Sequence, residues 1–391
     1  MFIQRLLADE IIEKLSYERS KIVVIYGARQ VGKTTLVEHI LDKTDYKTLR
    51  VDGDEAIYND VLSSQDSTKL GYLVQGYDLI FIDEAQRIKN IGINLKILHE
   101  KFKHLKIIVT GSSSLDLANQ IKEPLTGRTH TYRLYPISWM ELAERHNPFE
   151  LQTKLEERLI YGHYPEVFQL EGQVDKVEYL RHLSSDYLYR DVLELENIRH
   201  SHKLRDLLKL LAFQVGSEVS YSEIGTQLGL SRHTVADYID LLEKSFVLIT
   251  LRGFSRNLRK EISKKPKIYF YDLGIRNSLI DNFAWLNSRN DIGALWENFL
   301  IMERLKRNEY SKHYCSSYFW RTYTGAELDY IEEFNGELWG YEFKWSKNKP
   351  NAPKAWVDNY DGQYECVNKN NFLPFVLQHM AHTTGSTDHD H

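Results

Sequence analysis

Hydrophobic and polar positions divide the chain into two halves with different rhythms. Up to about Ser138, short β-branched apolar strings alternate with helical stretches. The strings are Lys21–Tyr26 (KIVVIY), Lys47–Asp52 (KTLRVD), Asp78–Asp83 (DLIFID), Leu105–Thr110 (LKIIVT) and Thr129–Leu134 (THTYRL). Continuous apolar strings of this length, separated by helices, predict a parallel sheet covered on both faces. From Leu142 to about His200 no such string occurs; the segment reads helical, rich in Glu, Leu, Tyr and Arg, and broken once by Pro165. From about Lys203 to Asp272, helices lead into a two-stranded ribbon, Phe246–Leu251 and Lys267–Tyr271. Beyond it a helix again precedes a hairpin, so the second half reads α+β.

Length and charge sharpen this picture. A chain of 391 residues is too long for one ordinary domain. The composition, 42% hydrophobic and 27% charged, is that of a globular protein. A formal charge of −5 excludes a uniformly basic nucleic-acid coat, so any such contact must come from a local patch. Two cysteines, Cys315 and Cys366, exclude a disulfide scaffold and fit a reducing compartment. Arg5, Asp9 and Glu10 interrupt the start where a secretory leader needs apolar residues. No run of 18 apolar residues occurs, so no membrane span and a cytoplasmic location are expected. The segment from His379 has almost nothing apolar to bury and is expected as a solvated tail.

The first chemistry follows the first string. Gly27-Ala28-Arg29-Gln30-Val31-Gly32-Lys33-Thr34 fits G-x-x-x-x-G-K-[ST], and Thr35 continues into a helical pattern. The glycines let backbone N–H groups wrap a phosphate. Lys33 supplies charge to the β- and γ-phosphates, Thr34 a hydroxyl to Mg²⁺, and the following helix aims its dipole at the anion. The third string ends in Asp83-Glu84. Asp83 is expected to hold Mg²⁺ through water and Glu84 to polarise the attacking water. The fourth string ends in Thr110-Gly111-Ser112-Ser113, where Ser112 and Ser113 compete to reach the γ-phosphate or the lytic water.

Ser220–Val235 has the rhythm of a helix-turn-helix. Ile224 and Leu228 form an i, i+4 core pair, Gly229 permits the turn, and Ser231 caps a second helix whose Val235, Ile239 and Leu242 face inward. This leaves Arg232, His233, Thr234 and Tyr238 as expected groove readers, with the ribbon loop as a wing. In that loop, Arg252–Lys267, seven basic residues face one acid, Glu261. Such a concentration on an acidic protein is what local phosphate contact requires.

A carboxylate pair is expected across a hairpin. Asn335-Gly336 is a two-residue turn signal. With those residues as the loop, Phe334 pairs with Glu337, Asp329 falls opposite Glu342, and Glu327 opposite Lys344. Period-2 alternation puts Asp329, Glu342 and Lys344 on one face. Opposed Cβ atoms sit about 4.5–5.5 Å apart, so the two acids repel, and a hard divalent cation would remove the repulsion.

Together, the phosphate loop, Asp83-Glu84, Leu125-Thr126-Gly127-Arg128, Tyr135-Pro136-Ile137-Ser138 and Tyr161-Gly162-His163-Tyr164-Pro165-Glu166 resemble the AAA-plus-type branch of P-loop ATPases. The likeness is to the bacterial and archaeal subgroup carrying a C-terminal domain once described as of unknown function. It implies Arg128 as an arginine finger. Asp329, twelve residues, then Glu342-x-Lys344 resembles the D…E-x-K signature of restriction-endonuclease-like proteins. That likeness implies Asp329 and Glu342 as Mg²⁺ ligands, Glu297 assisting the metal, and Lys344 orienting the nucleophile or stabilising charge. The expected architecture is an α/β P-loop ATPase domain with a parallel sheet (1–140), a helical lid (141–199), a winged helix (200–272), an α+β restriction-endonuclease-like domain (273–378) and a tail (379–391). The expected function is ATP binding and hydrolysis coupled to DNA or RNA engagement through the Arg252–Lys267 loop and the Arg232–Tyr238 helix, with Mg²⁺-dependent cleavage as a second activity. A nucleotide switch that docks proteins, and a DNA-binding regulator with a vestigial nuclease fold, are the alternatives. An oligomer is compatible with all three.

Overall fold

The computed structural model describes residues 3–111, 125–187, 201–256, 265–346 and 349–377. Five strands form the first sheet: β1 (Ile22–Tyr26), β2 (Thr48–Asp52), β3 (Leu79–Asp83), β4 (Lys106–Gly111) and β5 (Thr129–Arg133). All pair in parallel, in the order β2-β3-β4-β1-β5. The central strands β1 and β4 are buried along their whole length. The edge strands β2 and β5 alternate or open to solvent, as edges do. The five apolar strings therefore become the five strands, within a residue or two at each end.

Helices Pro148–Tyr161 and Gln173–His182 follow, separated by a short turn at Pro165–Phe168. Helix Pro148–Tyr161 opens with an Asn147–Glu150 capping box and Pro148 at its first position. In the second half, helices Ser201–Phe213, Tyr221–Leu228 and Arg232–Lys244 precede β6 (Leu248–Gly253) and β7 (Lys267–Phe270). Helices Tyr221–Leu228 and Arg232–Lys244 are joined by a short turn. Ser231 accepts from the Thr234 amide at 3.0 Å, and Gly229 sits at φ 60° in the left-handed region that a side chain would strain.

The ribbon does not stand apart as a wing. Strands β8 (Ser316–Arg321), β9 (Glu327–Phe334), β10 (Glu337–Lys344) and β11 (Gln363–Asn368) join it in one sheet, β11-β10-β9-β8-β6-β7. The join is parallel pairing of Arg252 with Tyr318 and Gly253 with Phe319. Phe254 then packs with Trp320, Leu328, Ile331, Leu338 and Trp356 on one face of this sheet. The expected boundary at 272/273 thus runs through a continuous sheet, because the ribbon's backbone finds its partner in the C-terminal hairpins. The other face is covered by helices Ile292–Tyr310 and Phe372–Leu377, whose apolar residues belong to the same core as the first sheet. Among the described residues no helix is long and apolar enough to cross a membrane.

Candidate nucleotide site and the carboxylate centre

The strand order brings the nucleotide chemistry together. β4 lies between β3 and β1, so the ends of all three strands meet. The phosphate loop leaves β1 and enters helix Lys33–Asp42. Gln30 (φ 61°) and Gly32 (φ 92°) turn the backbone through the left-handed region. Gly27 lies against the Leu134 carbonyl, where a Cβ would collide. Ala28 and Val31 are buried, Arg29 is half-buried, and Thr34 and Thr35 are exposed. The Lys33 ammonium, 5% exposed, donates to the Gly27 and Ala28 carbonyls at 3.0 Å each. It thus lies across the loop that its motif assigns to phosphate.

Asp83 is the hub. Its Oδ2 accepts from the Thr34 hydroxyl at 2.6 Å, and its Oδ1 accepts from the Thr110 hydroxyl and from the Glu84 amide at 3.0 Å. Glu84 follows in the left-handed region (φ 48°), with its carboxylate accepting from Gln86. Thr34 and Asp83 present hard oxygen donors at the N-terminus of the loop helix, which fits Mg²⁺. Among the described residues at the end of β4, the one that reaches this hub is Thr110, to which no sequence motif assigns a role. Ser112 and Ser113 lie outside the described residues.

Arg128 is not brought to this end. Its carbonyl accepts from the Ile22 amide at 2.9 Å, at the start of β1, and its guanidinium pairs with Glu100 at 2.9 Å. At about 3.3 Å per residue, the length of β1 separates it from the loop by roughly 16 Å. Within one chain it does not reach the nucleotide end.

Arg5, to which no motif assigns a place in the site, does reach it. Its buried guanidinium donates to the carbonyls of Val31 (2.8 Å) and Tyr135 (2.5 Å) and to Glu141 (2.8 Å). Tyr179 donates to the Gln30 side chain at 3.0 Å. The two other strings behind the ATPase resemblance form joints with the second half. The Ile137 amide donates to the His163 carbonyl, and the Trp139 amide to Glu303 at 2.6 Å. The Lys306 ammonium bridges Glu303 and the Ile137 carbonyl, and the His163 amide donates to Asp272 at 2.6 Å.

The C-terminal acids are arranged otherwise than expected. The hairpin register holds from Glu337↔Phe334 to Tyr341↔Tyr330. One step further, the Phe343 amide donates to the Asp329 carboxylate at 2.7 Å. Pairing of β8 with β9 shifts between Tyr318↔Ile331 and Trp320↔Leu328, so β9 carries an extra residue beside Asp329. Such a bulge re-aims a side chain that strict alternation would place elsewhere. Asp329 is turned toward Lys267, whose ammonium lies 3.9 Å from Asp329 Oδ1 and 3.0 Å from Glu297 Oε1. Tyr269 also donates to Glu297 Oε1, at 2.6 Å. Burial, then the charge of Glu297, pushes the Asp329 carboxyl up to about 7. Glu342 pairs instead with Lys344 at 2.7 Å.

The three acids do not gather on one point. Among the described residues, one group of three potential metal donors lies within 4.8 Å, and it is His313, Cys315 and Glu332. There Arg304 grips both Glu332 oxygens at 2.8 and 2.6 Å, and Asn308 and Tyr330 donate to one of them, so a resident cation already satisfies that carboxylate. The residues Glu297, Asp329 and Glu342 likewise do not fit Mg²⁺, because each already faces an ammonium, Lys267 for the first two and Lys344 for Glu342.

The expected nucleic-acid surface is partly absorbed into the fold. Tyr238 is buried rather than exposed, since its position on helix Arg232–Lys244 turns it inward. Arg232 and His233 are exposed, Thr234 is half-buried, and His233 pairs with Asp237 at 2.8 Å. In the loop, Lys267 is buried, Lys265 pairs with Glu223 at 2.9 Å, and Arg256 stacks over the Tyr360 ring at 5.4 Å. Arg252 is exposed; Arg259, Lys260 and Lys264 lie outside the described residues.

Comparison with known proteins agrees with the first half. Residues 19–143 match the family model described as AAA domain. Residues 152–285 and 292–371 match two models described as domains of unknown function, DUF8612 and DUF4143. An uncharacterized protein of Mycobacterium tuberculosis is 28% identical over 334 residues, covering 83% of this chain and 70% of that protein. An uncharacterized protein of Methanocaldococcus jannaschii is 27% identical over 308 residues, covering 74% and 67%. The RuvB Holliday junction branch migration motor of Thermotoga maritima overlaps at a TM-score of 0.34 and 17% identity, over 63% of this chain and 90% of that chain. So low a score carries no argument. The AAA-domain match, the parallel sheet and the loop geometry together support a P-loop ATPase at the N-terminal end of this chain.

Proposed function

We propose that this protein hydrolyses ATP and that its nucleotide state governs how the C-terminal half engages nucleic acid. The observation that carries the reading is the Thr34–Asp83–Thr110 chain of hydroxyls on one carboxylate, beside the Lys33 loop and Glu84. Backbone amides of Gly27–Lys33 and the Lys33 ammonium bind and orient the phosphates. Thr34 and Asp83 would hold Mg²⁺, which would supply positive charge against the negative charge of the phosphates. Glu84 takes the water-activating role from the end of β3. Arg5 and the Tyr135–Trp139 stretch give a direct route from the loop to helix Ile292–Tyr310. Engagement of nucleic acid is supported by exposed Arg232 and Arg252 on neighbouring elements. No cleavage step is assigned, because Lys267 stands among the acids that would have to bind metal.

Steady-state phosphate release by the full chain tests the ATPase reading. Lys33→Ala and Glu84→Gln are each expected to abolish it; turnover that survives both substitutions refutes the assignment. A second reading, a nucleotide switch that docks proteins, is favoured by the pairing of Lys265 and Lys267 with acids of the same chain. Negligible turnover together with no retention on DNA or RNA selects that reading.

A further inference from the structure

The acids of the six-stranded sheet pose a charge problem that the chain solves internally. Glu297 and Asp329 are both largely buried, and neither is neutralised by a member of its own element. Two carboxylates so placed repel unless one takes up a proton or a cation lies beside them. We propose that Lys267 is that cation by design of the fold: it is resident in the place where a divalent ion would bind, and the centre becomes a divalent-cation site only when the ammonium is removed.

Three features support this. First, Lys267 is held by its backbone. It sits on β7 opposite Leu251 and bridges Glu218 on its other side, so two pairings fix its Cα. Second, the acids are already engaged around it. Glu297 Oε1 accepts from both Lys267 and Tyr269, and Asp329 Oδ2 accepts from the Phe343 amide, which leaves Oδ1 facing the ammonium at 3.9 Å. Third, a divalent ion of the Mg²⁺ class binds oxygen at about 2.0–2.1 Å, so an ion shared by Glu297 and Asp329 would sit in the ammonium's own volume. Coulomb repulsion at such a separation, in a poorly solvated site, excludes joint occupancy. The Phe319 ring, 5.5 Å from the ammonium, gives it a further favourable neighbour that a hydrated metal would not share.

The consequence is chemical. The acids that resemble a nuclease centre serve to anchor β7, the strand that follows the basic loop. They do not position metal and water. The inference is independent of ATP hydrolysis, and its failure would leave that reading untouched.

The test uses the full chain without nucleotide and Mn²⁺ as probe, with free ion read by electron paramagnetic resonance. Wild type is expected to bind no more Mn²⁺ than Asp329→Asn. Lys267→Met, which keeps most of the apolar stem but ends one atom short of the ammonium and removes the charge, is expected to gain one equivalent, and the double variant Lys267→Met/Asp329→Asn to lose it again. The proposal is overturned if wild type binds an equivalent that Asp329→Asn or Glu297→Gln removes. It is also overturned if folded Lys267→Met, checked by an unchanged tryptophan emission maximum, gains none. If Lys267→Met does not fold, the wild-type comparison with Asp329→Asn and Glu297→Gln still decides whether metal enters.

Discussion

Replacing Thr110 by valine isolates one bond of the nucleotide site. Thr110 is fully buried on β4, and its hydroxyl donates to Asp83 Oδ1. Valine preserves volume, so the change removes a hydrogen bond rather than opening a cavity. A bond to an ionised carboxylate contributes about 1.5–3 kcal/mol. Asp83 keeps two other donors, the Thr34 hydroxyl and the Glu84 amide, so the lower end applies. At about 1.4 kcal/mol per decade, kcat for ATP hydrolysis is expected to fall roughly tenfold. KM for ATP should change little, because the loop amides and Lys33 that hold the phosphates are untouched. The Mg²⁺ concentration for half-maximal rate should rise, since Asp83 is the group released. Thr110→Ser restores the hydroxyl and should restore the rate. Steady-state phosphate release across ATP and Mg²⁺ series measures all three effects. A Thr110→Val rate within about twofold of the parent, or a serine variant as impaired as the valine one, refutes the reasoning.

Other expectations follow from the same structure. Burial works to raise the Asp291 carboxyl, but hydrogen bonds from Arg289 and Arg276 outweigh it and hold the group at about 2. A lowered acid stabilises the fold above its unfolded value and loses that contribution as pH falls, here between about pH 4 and 2. Asp291→Asn should therefore lose about 2 kcal/mol at pH 7 in urea unfolding, with the gap to wild type narrowing in acid; a pH-independent gap rejects the pairing. Arg5→Ala leaves Glu141, fully buried, without its guanidinium, and should lower stability by about 3–5 kcal/mol together with nucleotide affinity; an unchanged thermal midpoint would count against the joint. If nucleic acid binds the exposed arginines, neutralising Arg232 and Arg252 together should reduce the slope of log affinity against log salt by about 1.5–2; an unchanged slope removes them from the interface.

Much of the first half is legible along the chain. A parallel strand buried on both faces is a continuous apolar string, so β1, β3 and β4 announce themselves, and the phosphate loop and Asp83-Glu84 follow directly at two of their ends. The hairpin register at Asn335-Gly336 is legible for the same reason, since a two-residue turn aligns everything within a few residues of it. Tyr238 shows the limit on a helix: its spacing points outward, yet the folded helix Arg232–Lys244 buries it.

Local periodicity and turn chemistry thus determine by themselves which elements form, where the phosphate loop lies and how adjacent strands align. Tertiary structure alone decides who meets whom across long separations. Arg5 and Glu141 are 136 residues apart and still form a buried pair. In the sequence Lys267 is one charge of a basic loop expected to meet phosphate. Parallel pairing of β6 with β8 and the bulge beside Asp329 carry it instead between Glu297 and Asp329. The physical reason is that a buried charge is settled by the nearest opposite charge in space, and that distance is fixed only once the sheet has closed.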